Sequence, residues 1–219
     1  MIEYDIRLID GRSFTCSVQK DREPITEIQS AAWSDLSNNK CPNCPLNSKD
    51  SPSCPLALDV YEIAPAFEGI SKETKVDCVV KTKERWYFKN TPFKKAFASF
   101  FNYVATTSSC PILRGSKWQR SFHIPFLSGK EEETFNFASG LLEHQKKEII
   151  EDPKLTLENY QNTMKQKDIV KQHFLKRCLL AGKESSLIGE IAKHIEYVFS
   201  VKVKEENGPI EEPENEEAG

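Results

Sequence analysis

The segment that decides the fold is residues 1–19, MIEYDIRLIDGRSFTCSVQ. Residues 2–9 alternate between apolar and polar side chains, and residues 13–19 do so again. A period of two is typical of strands that bury one face. Asp10-Gly11 separates the two runs, and this dipeptide favours the tight turn of a hairpin. The segment therefore predicts an antiparallel β-hairpin.

A second hairpin is predicted over residues 72–89, KETKVDCVVKTKERWYFK. Val76, Cys78 and Val80 share one face of its first strand, and Trp86 and Phe88 belong to the facing strand. Two hairpins together make a small antiparallel sheet of about four strands.

Helical spacing of apolar residues dominates the rest of the chain. It predicts a helix from Pro55 to about Gly69, an aromatic-striped helix after Pro92, and helices over 128–149, 156–181 and 185–199. Strands grouped apart from helices indicate the α+β class. We expect one α+β domain over residues 1–200. In it, a small antiparallel sheet of two hairpins packs against a C-terminal helical half, with a Cys-rich loop.

Residues 201–219 are predicted to form an acidic, disordered tail. The net charge of the chain is −3, but residues 205–219 hold seven glutamates and neither Lys nor Arg. The remainder has 30 basic and 26 acidic residues and is therefore weakly basic. A proline-containing acidic segment with almost no apolar content has nothing to bury in a core.

The chain is predicted to be cytoplasmic. The sequence has no run of about 18 apolar residues, and its first ten residues carry charges where a secretory signal would be apolar. Disulfides are disfavoured in a reducing compartment. The seven cysteines are then better explained as thiols, metal ligands or reactive groups.

Four of the seven cysteines directly precede proline: Cys41, Cys44, Cys54 and Cys110. At about 5% proline, chance alone gives four such pairs on the order of once in a few thousand chains. A Cys-x-x-Cys turn lets two sulfurs converge on one ion, and a tetrahedral zinc site needs two more ligands. The sequence therefore predicts a structural four-cysteine zinc site.

Other interpretations of these cysteines remain open. Four thiolates also suit an iron–sulfur cluster, in which Cys-Pro is a familiar ligand dipeptide. Without a metal, Cys41 and Cys44 could form a redox dithiol. His123, in SFHIPF, could replace one cysteine or orient a ligand. The three other cysteines lie at apolar-face positions and are predicted to be core: Cys16, Cys78 and Cys178.

The sequence favours a non-enzymatic protein. It has no Walker loop, dinucleotide-binding glycine pattern or HExxH motif. We expect it to act by binding a protein partner, with no role for a membrane. The basic stretch 165–183 offers an alternative, a nucleic-acid-binding module using Lys171, Lys176 and Arg177. A solvated helix face explains the same charges more simply.

The order of the motifs resembles that of an uncharacterised bacterial family, a domain of unknown function. The shared skeleton consists of five motifs: Trp33-Ser-Asp-Leu36, Cys41-Pro-Asn-Cys-Pro-Leu46, Cys54-Pro-Leu-Ala57, Ser109-Cys-Pro111 and Phe122-His-Ile-Pro125. The resemblance covers roughly residues 1–200 and implies a bacterial cytosolic protein with a Cys-Pro centre. It also implies that the four cysteines and His123 belong to one constellation. It assigns no catalytic residue or substrate.

Overall fold

The computed structural model describes residues 1–23, 32–115, 120–121, 123–127 and 153–206, together with positions 131, 134–135 and 138–139. Most of the helix predicted over 128–149 lies outside these residues, as do the last 13 residues of the predicted tail. The described elements form an α+β architecture, as predicted.

The sheet consists of the two predicted hairpins. Strands β1 (Ile2–Leu8) and β2 (Ser13–Val18) form the first, with Gly11 in the turn at a φ of 90°. Strands β3 (Lys75–Lys81) and β4 (Trp86–Pro92) form the second. The order is β2-β1-β3-β4, and every neighbouring pair is antiparallel. The hairpins are thus joined through their first strands, with Ile6 opposite Cys78.

One face of the sheet is buried against helices and the other is open. The buried face carries apolar side chains from β1 and β3: Ile2, Tyr4, Ile6, Leu8, Val76, Cys78 and Val80. Trp86 and Phe88 lie opposite Lys81 and Val79, which places them on the open face, where they are 74% and 67% exposed. The β4 residue opposite Val80 is Tyr87, between the two exposed aromatic residues.

One helix follows the Cys-rich segment, and another follows β4. Helix α1 (Pro55–Ile63) starts at a proline, which suits the first helical position because its missing N–H needs no partner there. A 3-10 turn, Ala64–Phe67, continues it. Helix α2 (Phe93–Thr107) carries the predicted aromatic stripe, and Phe93, Phe97 and Phe100 are fully buried.

Helices α3 (Pro153–Ala181) and α4 (Ser186–Glu206) make the C-terminal half helical, as predicted. Proline at position 153 begins α3, whereas the sequence pattern placed the start near residue 156. Helix α4 runs six residues into the segment predicted as tail. Within the described part of the chain, no helix has the length and apolar character needed to cross a membrane.

Two contacts fix α4. Gly182 and Gly189 meet where α3 turns into α4, so closely that a Cβ on Gly182 would lie 2.6 Å from the Gly189 Cα. The His194 ring lies against Phe93 and Phe97, with ring centroids 4.8 Å and 5.3 Å away. The helical half is therefore docked on the same aromatic core as the sheet.

Candidate metal centre

The four cysteines that precede proline line one small cavity. Its volume is about 20 Å³, enough for one water-sized body. The other walls are mostly apolar side chains from the Cys-rich segment, the loop after α2, and α3: Leu36, Leu56, Ile112, Val170 and Phe174. The fold thus brings Cys110 back to cysteines that precede it by 56 or more positions in the sequence.

Cys41 and Cys44 are held in a turn of the exposed loop. The Cys44 N–H donates to the Cys41 carbonyl at 3.0 Å, which closes the Cys-x-x-Cys turn. Between them, the Asn43 side-chain amide donates to the carbonyl and side-chain oxygens of Gln166, at 3.0 Å and 2.8 Å. The turn is therefore fastened directly to α3.

Cys54 and Cys110 are positioned by backbone hydrogen bonds at the ends of helices. The Cys54 N–H donates to the Ser34 carbonyl at 2.7 Å, and Cys54 occupies the position just before α1. The Cys110 N–H donates to the Ser108 Oγ at 3.1 Å, just after α2. Both thiols consequently belong to rigid parts of the fold.

Cys54 and Cys110 follow the same local pattern. Burial raises the pKa of both thiols, and backbone hydrogen bonds act against that rise, from Leu56 and Ala57 at Cys54 and from Ile112 and Leu113 at Cys110. In each case the donors are the second and third residues after the cysteine, and the intervening proline has no N–H. N–H groups aimed at sulfur stabilise the thiolate, the form that binds metals.

Burial opposes ionisation of these thiols. Burial is the largest effect at each, and it raises the pKa of Cys41 and of Cys110 to about 11. It also raises the pKa of Cys54. Reactive cysteines typically have a lowered pKa. The surroundings therefore suit ligands that ionise on binding a cation better than a redox-active dithiol.

Arg177 supplies positive charge beside the cavity, a role that the sequence pattern did not suggest. Its side chain is buried, and its Nη1 donates to the carbonyls of Trp33 at 2.8 Å and Asp35 at 2.6 Å. The guanidinium lowers the pKa of Cys41 and Cys54, against the effect of burial. The helical spacing from Phe174 to Arg177 was the signal, because it puts both on one face of α3.

His123 does not line the cysteine cavity. Its Nε2 lies 2.5 Å from the Tyr4 Oη, its ring packs 4.7 Å from that of Tyr103, and it borders a different cavity. The sequence grouped His123 with the cysteines, but the fold separates them because His123 packs between β1 and α2. The cysteines alone make the candidate ligand set.

All seven cysteines are free thiols. Cys78 and Cys178 are fully buried, and Cys16 is half-buried against the core. Among the described residues, no three or more His, Cys, Asp or Glu side chains are arranged to hold a metal ion. The four cysteines share a cavity, but their sulfurs are not drawn together around one point.

The basic stretch of α3 is not a uniformly exposed face. Lys176 is exposed, Lys171 is half-buried and lies 3.8 Å from Asp168, and Arg177 is buried at the cysteine cavity. Lys167 is buried as well. Arg177 therefore cannot reach a nucleic-acid phosphate from its place in the fold.

The chain belongs to the family described as Domain of unknown function (DUF6901), whose model matches residues 2–205. This confirms the predicted resemblance to an uncharacterised family. No curated protein and no solved structure matches the chain.

Proposed function

We propose that this member of an uncharacterised family is a zinc-binding protein that acts by binding a protein partner. Cys41, Cys44, Cys54 and Cys110 would hold one structural zinc ion. The observation that carries the proposal is the convergence of all four Cys-Pro cysteines, from three separate segments, on one cavity. Four thiolates are a standard ligand set for structural zinc.

The size of the cavity favours a single ion over a cluster. A space of about 20 Å³ accommodates one water-sized body. A four-iron cluster with its sulfides is larger than one ion and would need more of this space. The N–H groups directed at Cys54 and Cys110 would stabilise zinc thiolates as they stabilise any charged sulfur.

Zinc binding would change the local structure. A zinc ion would displace the thiol protons and pull the half-buried Cys41–Cys44 turn inward. The binding free energy would then contribute to folding. Arg177 would offset part of the negative charge of a zinc with four thiolates.

A role in binding follows from the type of site. A zinc ion held by four cysteines has no open coordination position for a substrate or a water. The metal would therefore shape a surface rather than carry out chemistry. That surface would bind a protein partner.

The test is elemental analysis of protein purified without air, together with a visible absorption spectrum. We expect about one zinc per chain, as one four-cysteine site requires, and no visible band. Cys44→Ser and Cys110→Ser should each lose the zinc. Cys16→Ser is the matched control, since Cys16 is a half-buried cysteine outside the cavity. It should keep the full zinc content.

Other outcomes distinguish the alternatives. Iron with acid-labile sulfide and a broad visible absorption would show that the cysteines hold a cluster instead of zinc. The protein would then have a redox or sensory role. Zinc retained by Cys110→Ser would remove Cys110 from the ligand set. Protein free of metal after purification, and unable to take up added zinc, would contradict the proposal.

A further inference from the structure

A second, larger cavity lies apart from the cysteines. It is formed where the start of β1, the segment after β2, the β3–β4 turn and residues 120–121 and 123–124 meet. Its volume is about 740 Å³, within the range of about 300–1,000 Å³ that is usual for small-molecule sites. The cysteine proposal makes no use of this space.

The charges around this cavity are strongly one-sided. Among the described residues, it is lined by four cations, Lys20, Lys83, Arg85 and Arg120, and by one carboxylate, Glu84. Lys20, Lys83 and Arg85 form no ion pair within the described part of the chain. A cleft lined by one sign of charge concentrates its field and attracts a ligand of the opposite sign.

Arg120 is held in place at the edge of this cavity. Its Nη1 donates to the Gly115 carbonyl, and its Nη2 donates to Asp21 at 3.1 Å. The side chain is only 10% exposed, and its Nε has no hydrogen-bond partner among the described residues. Buried polar atoms normally have partners, so this N–H indicates a group that the described residues do not supply.

The floor of the cavity is aromatic and apolar. Tyr103 and His123 lie side by side there, both buried, with Ile124 next to them. His123 is fixed by its hydrogen bond to the Tyr4 Oη. Tyr87 also lines the cavity and is only half-buried, so its ring can accept a planar organic group by stacking. An inorganic anion alone would leave most of the space unfilled.

We propose that this cavity binds a small organic phosphate that carries a planar ring. The phosphate lies against Arg85, Lys83 and Arg120, whose guanidinium and ammonium groups match a doubly charged oxyanion. The ring lies against Tyr87. This assignment is independent of the zinc site, because the two cavities share no lining residue.

The test is calorimetric titration of the purified full-length protein, at low ionic strength, with adenosine 5′-monophosphate, inorganic phosphate and adenosine. We expect the nucleotide to bind, inorganic phosphate to bind more weakly, and adenosine to bind at least tenfold more weakly than the nucleotide, since it lacks the charge. The double variant Lys83→Glu/Arg85→Glu should weaken nucleotide binding by about tenfold or more. Both side chains are exposed, so the variant should fold.

Lys95→Glu is the matched control, because Lys95 is an exposed cation on α2 that does not line the cavity. It should change nucleotide affinity by less than about twofold, since surface charges at a distance are screened. Three results would overturn the assignment. They are adenosine binding as tightly as the nucleotide, equal affinity in the double variant and Lys95→Glu, and no nucleotide binding at millimolar concentration.

Two further probes separate the sources of phosphate. Phosphatidylcholine vesicles with and without phosphatidic acid test a lipid headgroup, and a short single-stranded oligonucleotide tests a polymer. Weaker binding of both than of the mononucleotide supports a free small molecule. Tighter binding of either one, lost in Lys83→Glu/Arg85→Glu, would reassign the cavity and overturn the small-molecule proposal.

Discussion

The aromatic core and the cysteine cavity are held together in different ways. At the core, the Phe67 ring contacts those of Phe14, Phe93, Phe97 and Phe100, with centroids 5.5–6.3 Å apart. The cavity has space for a water-sized body, and hydrogen bonds rather than rings fasten its walls. The comparison teaches that the core is filled by its own rings, whereas the cysteine cavity keeps a space that the proposed zinc ion would fill.

The largest effect is expected from breaking the core. Phe67→Ala should lower the free energy of unfolding by about 3–5 kcal/mol, because a fully buried ring leaves a cavity. The loss, measured by urea denaturation, should be the same with zinc and with a chelator. Phe88→Ala is the control, since Phe88 is 67% exposed on the open sheet face. It should cost less than about 0.5 kcal/mol. A similar loss in both variants would contradict the assignment of the core.

The second-largest effect is expected from disturbing α3, the helix that connects the aromatic core with the cysteine cavity. Gly182→Ala places a Cβ 2.6 Å from the Gly189 Cα, so α3 and α4 must move apart. Overpacking of this kind costs up to about 3 kcal/mol. Because α3 also lines the cysteine cavity, zinc affinity should fall as well. Denaturation and zinc titration of Lys183→Ala, at the exposed neighbouring position, provide the control. Gly182→Ala with wild-type stability would show that the helices do not meet there.

The third-largest effect is expected from a change of pH, which acts on the buried His194 of the core. Burial lowers the pKa of His194 to about 4, while its hydrogen bond to the Ile70 backbone acts in the opposite direction. The charged groups near it are Lys72, Glu190 and Lys193. The unfolded chain binds a proton at this histidine below about pH 6.5, and the folded chain does so only near pH 4, so stability falls as the pH falls between these values.

Denaturation at pH 7 and pH 5 measures this effect. The wild type should lose about 2 kcal/mol through His194 at pH 5. His194→Gln should not show this part of the loss. The loss in the variant must be subtracted from the loss in the wild type, because a second group also titrates in this range. Burial raises the pKa of Asp59 to about 6, and that carboxyl stabilises the fold as the pH falls toward 4. Identical pH dependence of wild type and variant would exclude a buried neutral His194.

The smallest effect on stability is expected at the cysteine cavity itself. Arg177→Met removes donors from two carbonyls, which should cost about 1–2 kcal/mol. The same variant should lose zinc to a chelator faster, because a compensating charge is gone. Lys176→Met is the matched control, since Lys176 is the exposed neighbour. It should match the wild type in both assays. Equal rates of zinc release from Arg177→Met and Lys176→Met would show that Arg177 does not affect the zinc site.

Most of the fold could be predicted because it follows from short-range patterns. Alternation and Asp10-Gly11 predicted the first hairpin, and apolar spacing predicted α1, α2, α3 and α4. The pairing of β1 with β3 was not predictable, since Ile6 and Cys78 are distant in sequence and many strands could have paired there. The exposure of Trp86 and Phe88 was not predictable either, because aromatic residues in a hairpin usually indicate a buried face.

The cysteine site was partly predictable. The repeated Cys-Pro pairs identified which four thiols share an environment, and the fold brings those four to one cavity. His123 was grouped with them on position in the sequence, which carries no information about three-dimensional distance. The lysines around Arg177 predict a surface charge, although the spacing from Phe174 places both residues on one face of α3. Only the packing of α3 on the Cys-rich segment shows that Arg177 is buried.

The strand order has a consequence for synthesis on the ribosome. Strand β1 lies inside the sheet, yet its second neighbour, β3, begins at Lys75. At about 5–20 residues per second, several seconds pass before β3 can emerge and pair. During that time the first hairpin exposes a free edge and the apolar side chains of Tyr4 and Ile6. The nascent chain thus passes through a stage that is open to wrong pairing.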